Sequence, residues 1–197
     1  SKGYQKDPKD ERTDFNMFTM NQGIRFEAHA VEYLKQVTQV ETIWEGDYLG
    51  RYDLSTSEDT FEAMQRGVQI IYQGTLRDAD SKTYGSPDFL VRSDVINELF
   101  SNTITPEEAS TSAPDLDNSK WHYIVVDSKF ATLNLASRTS SLRNTEKTRA
   151  YKVQVYLYTR MLGRLQGYIP KTAFILGRGW DQTIQKEEIG STSAMDK

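Results

Sequence analysis

The residues best suited to chemistry in this sequence are three acids and a lysine. Asp127 follows the apolar run WHYIVV at 121–126, and Lys129 comes two positions later. Side chains alternate along a strand, so the two point to one face. Taken alone, such a pair is a simple ion pair. Asp88 stands in Gly85-Ser86-Pro87-Asp88-Phe89-Leu90-Val91, an acid at the mouth of an apolar strand. Pro87 fits only at a strand start, edge or bulge. Glu27 interrupts the line Ile24, Ala28, Val31, Leu34, which recurs at helical spacing. A charge on a core face is costly unless it is paired or bound to a cation; the other account puts Glu27 at the wet edge of the stripe. If the two strands are neighbours and the helix packs over them, the three acids converge. Clustered carboxylates repel, and a hard divalent cation is their natural partner.

Cysteine-based metal and redox chemistry is excluded by composition, and two histidines argue against a zinc site. The chain has no cysteine and two histidines, which leaves no zinc finger, thiol nucleophile, disulfide framework or Cys-held iron–sulfur cluster. His29 is two residues from Glu27 and therefore on another helix face, and His122 alternates with Tyr123 in a strand. Both read as structural, with His29 also placed to touch a substrate.

The elements that must position these residues follow from periodicity and punctuation. The 197 residues are 37% hydrophobic and 26% charged, with mean hydropathy −0.65. That suits one domain with insertions and no membrane span. Residues 1–12 are polar and expected to be loose. Thr19 and Gln22 are spaced as a capping box for a helix over 20–38. Residues 40–44 read as a short strand, and a helix starting at Ser57 stops at Gly67. Residues 68–76 and 84–92 form a hairpin. The stretch 97–120 is rich in Ser, Thr, Pro and acids and reads as a polar surface insertion; 134–144 reads as flexible. From 145 to 166 a helix returns, with Ala150, Val153, Leu157, Met161 and Arg164 on one line and Gly167 and Pro170 to stop it. Residues 172–176 are the last strand. This order implies an α/β fold with a mixed sheet covered by helices.

Charge is unevenly spread. Residues 137–164 hold seven cations (Arg138, Arg143, Lys147, Arg149, Lys152, Arg160, Arg164) and one anion, Glu146, so this stretch is +6 and the rest −10 within a net −4. Such asymmetry fits an anionic partner met by one region, or a solvated helix face.

The order of these motifs resembles the RecB-type branch of the PD-(D/E)XK nuclease superfamily: G-x-x-D at Gly85–Asp88, D-x-K at Asp127–Lys129, then Q-x-x-x-Y at Gln154–Tyr158 on a following helix. The segment Gly23-Ile24-Arg25-Phe26-Glu27 resembles the first motif, with Glu27 where many relatives have His. The resemblance covers about residues 20–178. It implies a restriction-endonuclease-like core over 19–180, with the insertion at about 97–120, a flexible segment at 1–18 and a tail at 181–197. It implies phosphodiester hydrolysis with Mg²⁺ or Mn²⁺ and no iron–sulfur cluster. Asp88 and Asp127 would ligate the metal, with Glu27 as a direct or water-mediated ligand and the Ser128 carbonyl as an extra one. Lys129 would orient the attacking water or stabilise developing charge, and Gln154 and Tyr158, one turn apart, would hold Lys129, a water or the strand. Arg92, Arg138, Arg143, Lys147, Arg149 and Lys152 would position phosphates without reading bases, and Tyr84, Tyr151 and Tyr156 are candidates to stack on bases. DNA is the expected substrate, with RNA open; an intracellular setting and a helicase or other repair module in the same or another chain fit the family, since no P-loop occurs here. A degenerate nuclease fold that binds nucleic acid or scaffolds a complex is the alternative.

Overall fold

The computed structural model describes residues 15–46, 53–117, 119–136, 141–184 and 187–188. Helix α1 spans Phe15–Val37 and strand β1 Val40–Thr42; α2 spans Leu54–Gln65. Four short strands follow: β2 Ile70–Tyr72, β3 Leu76–Asp78, β4 Thr83–Gly85 and β5 Phe89–Arg92. After helices α3 (Ser93–Leu99) and α4 (Pro106–Ala109) come the long strand β6 (Tyr123–Leu135), helix α5 (Glu146–Gln166), β7 (Phe174–Ile184) and β8 (Glu187–Glu188). The main sheet is six-stranded and mixed, in the order β1-β2-β5-β6-β7-β8; β3 and β4 form a second, two-stranded sheet. The expected α/β class with a mixed, helix-flanked sheet is what is observed.

Alternation along the central strands builds two cores. Tyr123 and Val125 of β6, Leu90 of β5 and Ile71 of β2 pack against Ala63 and Met64 of α2 and Val155, Met161 and Leu162 of α5. Ile124 and Val126, Phe89 and Val91, and Ile70 pack against Ala30, Val31 and Leu34 of α1 and Ile96 of α3. The sheet is therefore buried on both faces, as a mixed sheet needs when its strands carry continuous apolar runs.

The expected hairpin is present but bent. β2 pairs with β5 and β3 with β4, both antiparallel, and the chain turns between them at Gln73, whose φ is +55°, and at residues 86–88. One hairpin thus serves two sheets, and the bend lies beside Asp88.

Several expectations are corrected. Thr19 is no cap; it lies inside α1 and donates to the Phe15 carbonyl (2.8 Å), and residues 15–18 are helical. α2 begins a turn before Ser57, which is buried within it. The inward face of α1 is Ala30, Val31 and Leu34, with Ile24 and Ala28 turned outward. In α5 the buried line runs through Val155, Thr159, Leu162 and Gln166, and Ala150, Val153 and Leu157 are exposed. The polar stretch 97–120 is a surface insertion with anchors: Ala113 and Leu116 are buried, and Glu108 accepts from the Tyr168 hydroxyl (2.9 Å) beside Lys171 (3.1 Å). His122 is buried there, against the Thr111 carbonyl (2.9 Å) and the Tyr168 ring. His29 is exposed, with Nδ1 on the Arg25 carbonyl (2.6 Å). Strand β6 continues through Asp127 to Leu135, and β7 continues to Ile184, well into the expected tail; residues 1–14, 185–186 and 189–197 of the expected terminal segments lie outside the described residues.

Candidate active site

Of the three acids, Asp88 and Asp127 are brought together where the six-stranded sheet narrows. β2 ends at Tyr72 and β5 begins at Phe89, while β6 and β7 run on as a pair through Asn134 and Asp181. Tyr72 opposes Phe89, and Phe89 opposes Val126. One step further, the register sets Gln73, Asp88 and Asp127 in a row across three strands. The Gln73 amide donates to the Asp88 carbonyl at 2.9 Å, which continues the ladder on that side. Directly opposed residues on antiparallel strands have Cβ atoms about 4.5–5.5 Å apart, and like charges placed so repel.

Each acid is held by its own donor. Asp88 Oδ2 accepts from the Ser128 backbone N–H (2.7 Å) and the Ser128 hydroxyl (2.6 Å). Asp127 is 1% exposed and its Oδ2 forms an ion pair with Lys129 Nζ. Glu27 Oε1 accepts from the Tyr72 hydroxyl (2.9 Å) and from the Gln73 carboxamide. Glu27 comes from the α1 layer and Asp127 faces the α5 layer on the other side of the sheet, so the expected convergence of three acids is limited to Asp88 and Asp127.

The electrostatics follow. Burial pushes the Asp127 carboxyl up to about 6, with repulsion from Asp88 and more weakly from Glu27 adding to it and Lys129 opposing it. For Lys129, burial disfavours the ammonium, but Asp127 and Asp88 outweigh it and its pKa sits above the ordinary value. Lys129 is thus a fixed cation. Burial and then the charge of Glu27 raise the Tyr72 phenol.

Helix α5 supplies the roof. Thr145 caps it with a reciprocal Thr145–Thr148 box, and Gly167 ends it at φ +73°. Gln154 Nε2 donates to the Tyr158 hydroxyl at 3.0 Å. Tyr158 is half-buried; burial raises its pKa against that hydrogen bond, and the charges of Asp127 and Asp88 raise it further. Its ring packs on Gly85, where a Cβ would collide with it. The first residue of the Gly85–Asp88 segment is a glycine because an aromatic ring occupies the space. Tyr151 stands near Lys129, whose Nζ is 5.6 Å from the ring centroid.

Asp88, Asp127, Lys129, Gln154 and Tyr158 therefore share one corner, with Glu27 in electrostatic reach. Among the described residues, no three His, Cys, Asp or Glu side chains are grouped to hold a metal ion. The donor set nevertheless fits a hard divalent cation by its chemistry: only oxygens, from two acids opposed across a ladder, one of them buried. Besides the carbonyl expected of it, Ser128 brings its N–H and hydroxyl, both of which orient Asp88. Gln73 and Tyr72, which hold Glu27, were not anticipated. The only signal for Gln73 is its position opposite Asp88, which needs the hairpin register.

The expected phosphate contacts divide. Arg92 lies at the far end of β5, where it holds Asp94 (3.0 and 2.5 Å) and the Gly67 carbonyl (2.7 Å) and stacks on Trp121. It is a structural residue remote from Asp88. Lys152 is tied to the Leu142 carbonyl and Asn144, each at 2.7 Å, and fixes the approach to α5. Arg143, Lys147 and Arg149 are exposed near the start of α5; Arg138 lies outside the described residues. Arg164 pairs with Asp78. No helix among the described residues is long and apolar enough to cross a membrane.

No known family model matches the chain, and no curated protein or solved structure matches it either.

Proposed function

We propose that this protein is a metal-dependent nuclease of the RecB-type PD-(D/E)XK kind, with a restriction-endonuclease-like core, hydrolysing phosphodiester bonds in DNA. The observation that supports this reading most is the row set by strand register: Asp88 opposite Asp127, Lys129 on the same face, and Gln154 and Tyr158 above them.

In this reading Asp88 and Asp127 hold Mg²⁺ or Mn²⁺, with Glu27 behind them. When bound, such an ion supplies Lewis-acid chemistry at the phosphate and lowers the pKa of water. The chain's own residues do the rest. Ser128 fixes the Asp88 carboxylate through two hydrogen bonds, so one ligand is already oriented. Lys129, kept protonated by its acidic neighbours, donates hydrogen bonds to negative charge that develops on phosphate oxygens. It is not the base. Gln154 and Tyr158 orient each other across one helical turn.

A labelled-DNA cleavage panel with Mn²⁺ or Mg²⁺ tests the proposal. The wild-type chain is expected to cut, and Asp88→Asn, Asp127→Asn and Lys129→Ala to lose about 100-fold or more. Equal rates in all four proteins overturn it. A specific observation favours a second reading: every acid is held by a protein donor. A chain that binds DNA but cuts with neither ion is a degenerate nuclease fold acting as a binding module.

A further inference from the structure

The stripe Ala150, Val153 and Leu157 has the spacing of a core face but does not lie in the core. Val153 is 58% and Leu157 48% exposed on α5, and Tyr84 of β4, across from them, is 58% exposed. Between them runs a groove of about 560 Å³ floored by Met161, and Arg149 stands on its rim. Gln154 and Tyr158 line it too, and Tyr158 is within electrostatic reach of Asp127 and Lys129.

The composition of this groove is specific. Its walls are aliphatic and aromatic, which suits a flat, apolar-faced ligand. Arg149 belongs to its lining, and Arg143 and Lys147 are exposed near the same end of α5, which suits an anion joined to that ligand. A nucleotide in a single strand combines both: a base with open π-faces and a phosphate on either side. In a duplex those faces are covered by stacking, so a base can enter only if it is unpaired.

We propose that the groove between β4 and the exposed face of α5 is a nucleobase pocket, taking one unpaired base of a DNA strand against Tyr84 while Arg149 meets the adjoining phosphate. This rests on the nucleic-acid part of the proposed function and deepens it: the substrate must present a single-stranded nucleotide next to the bond to be cut. The aromatic and aliphatic walls contact a face that every base has, so the pocket requires a base without choosing among sequences.

The test is a binding measurement, independent of cleavage. Fluorescence anisotropy compares a labelled single-stranded oligodeoxynucleotide with an abasic strand of the same length and charge, in EDTA and again with Ca²⁺. The wild-type chain is expected to bind the abasic strand about tenfold more weakly, the order of one stacked base. Tyr84→Ala and Leu157→Asn are expected to lose about tenfold for the normal strand and little for the abasic one. Both sites are exposed, and thermal melts check that the variants stay folded. Arg149→Ala is expected to weaken both strands alike and to flatten the salt dependence by about one phosphate contact. Equal wild-type affinity for the two strands overturns the pocket, as does failure to bind either strand in either buffer. A dimer that dissociates in Leu157→Asn also overturns it, by assigning the groove to a second copy. Base-dependent binding without cleavage sinks the nuclease reading alone; cleavage without base dependence sinks the pocket alone.

Discussion

Asp127 is the residue whose surroundings conflict most with its charge. It is almost fully buried, it opposes Asp88 across a ladder, and its carboxyl is pushed up from 3.8 to about 6. A carboxyl raised on folding still holds its proton in the folded state at pH values where the unfolded chain has lost it. Stability therefore falls as pH rises from about 4 to about 6, by at most about 3 kcal/mol, and the deficit persists above that window. Asp127→Asn removes the ionisation. In EDTA, the Tm of the variant relative to wild type is expected to be higher at pH 7 than at pH 4.5. A flat or reversed difference means that Lys129 outweighs both burial and Asp88. Lys129→Ala should behave oppositely. Without the ammonium the Asp127 charge is uncompensated, so this variant's loss of stability is expected to be greater at pH 7 than at pH 4.5, by the same melts. The two substitutions bracket the pair: one removes the repelled charge, the other removes what tolerates it.

At the scale of elements, the site depends on a hairpin that bends. β2–β5 belongs to the main sheet and β3–β4 to a second one, and the strands between them place Gln73 and Asp88 opposite each other. The second sheet must then pass under α5, and it does so closely enough that Gly85 touches the Tyr158 ring. Gly85→Ala is expected to push that ring off its position and break the Gln154–Tyr158 hydrogen bond. Cleavage should fall about tenfold or more while the melting temperature drops by only a few degrees, since the rest of the core is unaffected; an equal loss in Gly85→Ala and in a Gly85→Ala/Tyr158→Phe double variant would show that the ring is the intermediary. The same elements explain what the sequence made legible. Asp127 and Lys129 on one face need only strand alternation, and the ends of α5 need only Thr145 and Gly167, so local rules suffice. The faces of α1 and α5 were misplaced because an apolar stripe says nothing of what covers it, and in α5 Val153 and Leu157 border a groove. The 97–120 stretch reads as a polar surface insertion and most of its described residues are exposed, but its anchors, Ala113, Leu116 and Glu108, are single residues with no periodicity to reveal them. β6 and β7 extend beyond their apolar runs because each pairs with the other, an arrangement invisible in either segment alone.

For the molecule as a whole, the corner is a built-in weakness that a cation would relieve. Burial, the opposed Asp88 and, more weakly, Glu27 all disfavour the ionised form of Asp127 in the folded chain. A ligand that binds only the folded state stabilises it by an amount set by its concentration over its Kd, about 2.7 kcal/mol at a hundredfold excess. In a chain of 197 residues each kcal/mol moves the midpoint by about 2–4 °C. Saturating Mn²⁺ is therefore expected to raise the wild-type Tm at pH 7 by roughly 5–10 °C. Because the carboxyl of Asp127 must be ionised to take the ion, the shift should shrink as pH falls below about 6. Asp127→Asn and Asp88→Asn should show little shift, whereas Tyr84→Ala, in the adjoining groove, should keep the full one. This pattern separates the two halves of the site: the acids answer to the cation and the groove to the strand. A wild-type Tm unmoved by millimolar Mn²⁺ at pH 7 leaves the acids as a structural ion-pair cluster, and the nuclease reading falls with them.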